Sequence, residues 1–202
     1  MTERRPSARS RLGLSRSFQD ARLFPNLTVT ETISVALERW IQAGDALSGA
    51  LRLPSLQLTE AAVAERAEEL VAMFGLGAFR AKRLGELSTG SRRMVDLACA
   101  VAHHPDVVLL DEPSSGIAQR EAEALGPVMT GLRDRLGASL LVIEHDIALV
   151  SSVADRLVAM DQGRVVAVGP PRHVLDHPDV VAAYLGTGDS LQRSDHVPGG
   201  AP

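Results

Sequence analysis

The sequence predicts an α/β fold, in which a mostly parallel sheet is flanked by helices and carries an added helical lobe. Two observations support this prediction. After Gly85, apolar runs of strand length alternate with segments of helical periodicity, which is typical of parallel strands joined by crossover helices. Between about residues 30 and 102, the apolar positions recur mainly at helical spacing, which indicates the lobe.

Composition and charge exclude several classes of function. A chain of 202 residues with 45% hydrophobic content is long enough for one packed domain. Its net charge of -4, with scattered arginines, argues against a nucleic-acid-binding surface. No run approaches the roughly 20 apolar residues that cross a membrane. We therefore expect a soluble chain that contacts a membrane only through a partner, without inserting into it.

The two ends differ from the rest of the chain. Residues 1–11 are polar and rich in arginine, and residues 187–202 are also polar, so both segments are expected to be disordered. The folded domain is predicted over residues 12–186, with the α/β core starting at about residue 103. The single cysteine, Cys99, lies in an apolar stretch and is expected to be buried and reduced.

Element boundaries follow from periodicity and from capping residues. In the lobe, helices are predicted at Thr32 to Trp40 and at Ala61 to Phe74, with Thr59 as an N-cap and a loop from Gly44 to Pro54. In the core, we predict helices from about Ser91 to Ala102, Arg120 to Leu136 and Ile147 to Ala154, strands at Val107–Leu110 and Ser139–Ile143, a hairpin of Leu157–Met160 and Arg164–Val168, and short helices at Val174–Leu175 and Val180–Leu185.

An acidic pair follows the most apolar strand. Val107–Leu110 is a continuous apolar run, as in a strand buried on both faces, and Asp111 and Glu112 follow at its carboxyl end. Ligands of open α/β sheets bind at that edge. Asp111 can hold Mg²⁺ through water, and Glu112 can deprotonate an attacking water. An isolated pair could equally be a polar strand end or a helix cap; the neighbouring motifs favour chemistry.

The segment Leu87-Ser88-Thr89-Gly90-Ser91 opens a helix. Ser88 can cap that helix, and Gly90 allows a backbone N–H to approach a phosphate closely. The helix N-terminus would then offer both donors and a positive dipole end to an anion. Such a start is common by itself, but here it precedes an apolar helix and the Leu109-Leu110-Asp111-Glu112-Pro113 run.

Two further residues complete the candidate site. His145 follows the strand Ser139–Ile143 and could donate a hydrogen bond to a γ-phosphate. Gln19 has an amide that could reach Mg²⁺ or the attacking water, where a strand would pass into the helical lobe. The remaining histidines lie beside proline or polar residues, and we interpret them as structural or exposed: His103, His104, His173, His177 and His196.

From about Leu12 to Gly186, the chain resembles the nucleotide-binding subunit of ABC transporters of the branched-chain amino acid group. The resemblance implies a P-loop NTPase-type cassette and ATP and Mg²⁺ as ligands. By that likeness Ser88 and Gly90 belong to the signature motif, Gln19 is the Q-loop glutamine and His145 the switch histidine. It also implies that Asp111 is the Walker B aspartate and Glu112 the catalytic base. The resemblance to the branched-chain amino acid group in particular rests on two segments, Phe18 to Val29 and Asp176 to Gly186.

The chain departs from the family pattern in three places. It contains no G-x-x-x-x-G-K-[ST] phosphate loop, and its only lysine is Lys82, so its own ATP site is expected to be incomplete. Ser91 occupies the position at which the signature motif usually has a glutamine. Ala118 stands where many relatives carry an Asp or Asn, which puts the coupling between the two subunits of a dimer in doubt.

Two functions remain open. In the first, the chain is an ATPase subunit that pairs head to tail with a second cassette, identical or different, and drives a transmembrane permease from the cytoplasmic face of the membrane. The missing phosphate loop would then reflect truncation or a misplaced start. In the second, the chain is a non-catalytic relic that only supplies a signature motif to a partner ATPase. A DNA-repair ATPase fits less well, because no long coiled coil interrupts the lobe.

Overall fold

A computed structural model of the protein describes residues 5–17, 23–38 and 54–185. The chain divides into two compact units, Met1–Leu149 and Val150–Pro202. This division differs from the predicted one between a helical lobe and a core, which stays a prediction. Part of the predicted Gly44 to Pro54 loop, the end of the predicted helix at Trp40 and the whole of the predicted C-terminal tail lie outside the described residues.

A parallel sheet forms the centre of the first unit and confirms the α/β class. Its strands are β1 (Leu14–Arg16), β2 (Val107–Asp111) and β3 (Ser139–Ile143), in the order β1-β2-β3. Leu14 pairs with Val107 at one end, and Asp111 pairs with Ile143 at the other. A strand was expected just before Gln19, but the sequence did not indicate the bounds of β1, because three residues are too few to show an alternating pattern.

The two faces of β2 are unequally covered. Val108 and Leu110 are 0% and 1% exposed, whereas Val107 and Leu109, on the opposite face, are only half-buried. The prediction that this strand is buried on both faces is therefore wrong for the second face. Neighbouring β3 is more open still, since Leu141 and Ile143 are 61% and 60% exposed.

The first part of the chain is more helical than the sequence indicated. Helix α1 (Pro6–Arg11) lies within the lead-in that was expected to be disordered, with a proline at its first turn, where no N–H is needed. Helix α2 (Val29–Leu37) begins at Thr28 with a capping box: Glu31 N donates to Thr28 Oγ1 at 3.2 Å, and Thr28 N donates to Glu31 Oε2 at 2.8 Å. The predicted start at Thr32 is therefore one turn too late.

Helix α3 (Pro54–Met73) also begins earlier than predicted, so Thr59 lies inside it and is not its N-cap. Single 3₁₀ turns at Gly77–Phe79 and Leu84–Glu86 follow it. Helix α2 packs against α3 and against α4 (Thr89–Val101). Their shared core contains Ile33, Leu37, Leu70, Val71, Leu97 and Val101, each at most 1% exposed.

The predicted helix from Arg120 to Leu136 is two helices. Helix α5 (Gln119–Glu123) ends at Ala124, and α6 (Leu125–Leu136) begins there. Pro127 lies in the first turn of α6, where its missing N–H costs little, and this position accounts for a new helix start. Gly137 ends α6 with φ +64°, a left-handed conformation that glycine adopts without strain. Helix α7 (Ile147–Val153) follows β3.

The second unit contains the predicted hairpin. Strands β4 (Leu157–Asp161) and β5 (Arg164–Gly169) pair antiparallel. Short helices α8 (Pro171–Leu175) and α9 (Pro178–Val180) follow, and Val181–Leu185 forms a π-helical turn. Within the described ranges, no helix is both long and apolar enough to span a membrane.

Two leucines on adjacent strands provide a matched test of this packing. Leu110→Ala should lower the free energy of unfolding by about 2–5 kcal/mol, because it leaves a cavity at a fully buried position. Leu141→Ala should change it by about 0.5 kcal/mol or less, since that side chain is exposed. Urea denaturation of both variants measures the difference, and equal losses would contradict the assignment of the core to one face of the sheet.

Candidate functional site

The carboxyl end of β2 presents two carboxylates in different settings. Asp111 has a 34% exposed side chain, and Arg16 Nη2 at the end of β1 donates to its Oδ2 at 3.1 Å. Glu112 N donates to Ile143 O at 2.8 Å, so the hydrogen bonding between β2 and β3 extends one residue past Asp111. Glu112 has φ +45°, a conformation uncommon for a residue with a side chain. Strain of this kind concentrates at functional sites.

Arg93 of α4 fixes the backbone directly after β2. Its side chain is buried, with Nη2 donating to Glu112 O and Nε to Pro113 O, both at 3.1 Å. These bonds satisfy two carbonyl groups at the turn where the sheet ends, and buried carbonyls need such partners. They also attach α4 to the acidic edge of the sheet.

The charge of Arg93 is balanced by Asp96, one turn further along α4. Arg93 Nη1 lies 3.6 Å from Asp96 Oδ2. Burial raises the pKa of Asp96, and the nearby Arg93 charge opposes that shift. Burial also raises the pKa of the Cys99 thiol to about 12, with a smaller contribution from the Asp96 charge, although Cys99 is partly exposed rather than fully buried as predicted.

The segment after β3 places His145 at the same edge of the sheet. The His145 side chain is 69% exposed, whereas the side chain of the preceding Glu144 is fully buried. Glu144 Oε2 accepts hydrogen bonds from His145 N at 3.1 Å and from Asp146 N at 3.4 Å. Glu144 Oε1 accepts from Ser114 N at 2.6 Å, and so reaches across to the turn after β2.

The N-terminus of α4 is built as the sequence predicted, with one addition. Ser88 is its N-cap, and Ser91 N donates to Ser88 Oγ at 3.1 Å. Ser88 Oγ in turn donates to Glu121 Oε1 of α5 at 2.6 Å. A Cβ added to Gly90 would lie 2.5 Å from both Glu121 Cδ and Oε2. The Glu121 carboxylate therefore lies directly against the first turn of α4.

The structure brings three of the six predicted residues to one edge of the sheet. Asp111, Glu112 and His145 lie at the carboxyl ends of two neighbouring strands. Ser88 and Gly90 lie at the N-terminus of α4 against Glu121, and only Arg93, further along that helix, contacts the turn after β2. Gln19 lies outside the described residues. Sequence reasoning missed Arg93, Glu121 and Glu144. Of these three, only Glu144 could have been identified from the sequence, because it follows an apolar strand as Asp111 does.

The residues present are compatible with a magnesium nucleotide. Mg²⁺ bound to a nucleotide needs only one or two carboxylates, with phosphates and water as the other ligands. Asp111 meets that requirement, although Arg16 is paired with one of its oxygens. In the part of the chain that the structure describes, no three His, Cys, Asp or Glu side chains could hold a metal ion by themselves. The space beside Gly90 is filled by an anionic group of the same chain, the Glu121 carboxylate.

Comparison with known families agrees with this arrangement. The pattern of the family described as ABC transporter matches residues 1–115, and the one described as branched-chain amino acid ATP-binding cassette transporter matches residues 164–190. The chain is 33% identical over 177 residues to the high-affinity branched-chain amino acid transport ATP-binding protein LivG of Escherichia coli, covering 88% of this chain and 69% of that protein. It is equally similar, over the same shares of both chains, to BraF of Pseudomonas aeruginosa, which has the same description.

Solved structures support the fold. The ADP conformation of MJ1267, an ATP-binding cassette of an ABC transporter, matches with a TM-score of 0.69 at 23% identity, over 91% of this chain and 72% of that one. The protein cbiO1 of Clostridium perfringens, part of the ABC transporter complex cbiONQ, matches with a TM-score of 0.67 at 23% identity, over 92% and 69%.

Neighbouring arginines test the role of Arg93. Arg93→Ala should lower the free energy of unfolding by about 3 kcal/mol, because it removes a buried charge pair and leaves two carbonyl groups without their donor. Arg92→Ala should change it by about 0.5 kcal/mol or less, since Arg92 is exposed. Chemical denaturation measures both changes, and similar losses would show that the Arg93 bonds do not hold this turn.

The contact between Gly90 and Glu121 is tested by a double-mutant cycle. Gly90→Ala should destabilise the wild-type chain, because its methyl group would overlap Glu121. In a Glu121→Ala background, the same change should be neutral or stabilising by up to about 1 kcal/mol, as alanine usually is in a helix.

Gly131→Ala in α6 is the matched control, since a Cβ there meets nothing within 4 Å. It should have the same effect on thermal unfolding with and without Glu121. A penalty for Gly90→Ala that persists in the Glu121→Ala background would mean that Glu121 does not occupy this position.

Proposed function

This chain belongs to the family of ABC transporter ATP-binding subunits, and from that premise we propose that it couples ATP hydrolysis to import of branched-chain or other hydrophobic amino acids. The proposed substrate class rests on the descriptions of LivG and BraF and on the match of residues 164–190 to the branched-chain family. Subunits of this family work in pairs and with a transmembrane permease. We infer the same partners here, on the cytoplasmic face of the membrane.

One observation carries the proposed chemistry: Asp111, Glu112 and His145 lie together at the carboxyl edge of β2 and β3. ATP supplies the phosphoryl group and Mg²⁺ neutralises charge on its phosphates. In this proposal Asp111 holds the ion, and Glu112 accepts a proton from the water that attacks the γ-phosphorus. The exposed imidazole of His145 donates a hydrogen bond to a γ-phosphate oxygen. Gln19 is proposed to contact the ion or the water.

Ser88 and Gly90 are proposed to act on a different nucleotide. Head-to-tail pairing of cassettes places the signature of one subunit over the ATP held by the other. The Glu121 carboxylate lies at the N-terminus of α4, where that phosphate would bind, and must move away because two anions would repel at this distance. The presence of the Glu121 carboxylate beside Ser88 also supports the proposal that the N-terminus of α4 favours a negatively charged group.

A second candidate function is supply of the signature motif alone. It is favoured by the pairing of Arg16 with Asp111, which engages one oxygen of the carboxylate that would hold Mg²⁺. In this second case the chain would complete the partner's ATP site without hydrolysing ATP in its own.

The signature role is tested by complementation. The chain is mixed with a related cassette that has an intact phosphate loop but a disabled signature, and ATP hydrolysis is measured. Hydrolysis should be restored, and Ser88→Arg or Gly90→Asp should abolish it, because each places bulk or charge where the phosphate would bind. Gly131→Asp, at an open position on α6, is the control and should leave the rescue intact.

Failure of rescue between chains that demonstrably associate, or rescue that survives both signature substitutions, would refute the trans-acting role. A second arm separates the two candidates. In the transporter complex isolated through a tag on this chain, Glu112→Gln should slow hydrolysis by roughly 10²–10⁴-fold if Glu112 is a general base. An unchanged rate would favour the second candidate.

A further inference from the structure

Glu144 has a hydrogen-bonding arrangement that neither the sequence motifs nor the proposed chemistry uses. Its side chain is fully buried, yet both carboxylate oxygens are engaged by backbone N–H groups. One oxygen accepts from Ser114, two residues after Glu112, and the other accepts from His145 and Asp146. A single side chain therefore joins the two segments that carry the proposed base and the proposed phosphate donor.

The chemistry of this position requires a carboxylate. An ionised glutamate accepts hydrogen bonds through both oxygens, whereas glutamine has one acceptor and one donor end. In place of Glu144, glutamine would therefore turn its NH₂ group toward backbone N–H donors on one side. Aspartate keeps the charge but is shorter by one methylene group, so it cannot span the same pair of segments. Ordinary packing of a buried turn would not impose both restrictions.

The hydrogen bonds that Glu144 makes to these two segments, called the bridge below, lie beyond the last backbone bonds of the sheet. Pairing of β2 with β3 ends at Asp111 with Ile143, and the final backbone bond runs from Glu112 N to Ile143 O. Past that point the two chain segments separate, and the bond from Ser114 N to Glu144 Oε1 joins them across 30 residues of sequence. The spacing between Glu112 and His145 thus depends on Glu144 rather than on the sheet alone.

We propose that Glu144 is a positioning residue, which holds the turn after Glu112 and the segment of His145 in one fixed arrangement for hydrolysis. This proposal rests on the proposed ATPase function. Because Glu144 acts through its neighbours, its loss should reduce kcat without greatly changing the KM for ATP. Its effect should also be less than additive with the loss of His145, because part of it is exerted through that residue.

Amide hydrogen exchange of the full chain tests the bridge itself. In Glu144→Gln, the amides of one segment, either Ser114 or His145 with Asp146, should exchange faster by about 10-fold or more, because glutamine keeps an acceptor for only one side. Glu144→Asp should show the same change at one segment or both. Glu86→Gln is the control: its exposed carboxylate accepts only locally, from Arg83 N at 3.0 Å, and should leave these three amides unchanged.

ATP hydrolysis by the isolated transporter complex tests positioning. Glu144→Gln should lower kcat by about 10-fold or more with the KM for ATP within about twofold, and in the double variant with His145→Ala the two losses should be less than additive. Additive losses, or unchanged kcat with faster exchange, would overturn positioning and leave Glu144 a structural residue. Unchanged exchange at Ser114, His145 and Asp146 in both Glu144 variants would overturn the bridge.

A failure of the proposed ATPase function would give a different set of results. If the wild-type complex shows no hydrolysis that Glu112→Gln removes, the ATPase function of this chain fails, whatever Glu144 does. The bridge is then decided by exchange: loss of protection at Ser114 or at His145 supports it, and protection that persists at both refutes it. Thermal unfolding of each variant identifies any that is simply unfolded, and Glu144→Asp then replaces Glu144→Gln in both measurements.

Discussion

The parallel pairing of β2 with β3 is the constraint on which the candidate site depends. It brings Asp111 opposite Ile143 and ends with the bond from Glu112 N to Ile143 O, so segments 30 residues apart leave the sheet side by side. A positive φ at Glu112 turns the chain away at that point. The acidic pair and His145 owe their proximity to this shared edge, since parallel strands end on the same side of a sheet.

Two buried side chains, those of Arg93 and Glu144, stabilise the turn after β2. Arg93 donates to the carbonyls of Glu112 and Pro113, and Glu144 accepts from the N–H of Ser114. Together they satisfy backbone groups that the sheet no longer pairs, and unpaired groups of this kind are costly when buried. The turn is consequently tied to the helix that begins at Ser88 and to the segment of His145. A change at either element would alter the setting of Glu112.

At the N-terminus of α4, the position where a phosphate would bind is occupied by a carboxylate of the same chain. Glu121 accepts from Ser88 and lies where a Cβ of Gly90 would be. The negative charge of Glu121 thereby interacts favourably with the positive end of the α4 helix dipole. It also means that a phosphate approaching Ser88 must compete with a carboxylate, so the signature helix and α5 are expected to respond to nucleotide together.

The sequence by itself determined the α/β class, the hairpin, the cap at Ser88 and the placement of Asp111 at a strand end, because local periodicity and capping chemistry encode these features. It did not indicate the bounds of β1, whose three residues are too few for a pattern, or the division of the predicted helix at Ala124. Only the tertiary structure decided the contacts of Arg93, Glu144 and Glu121, which join residues 19 to 33 positions apart. Periodicity describes which face of an element is buried, whereas these bonds depend on how separate elements meet.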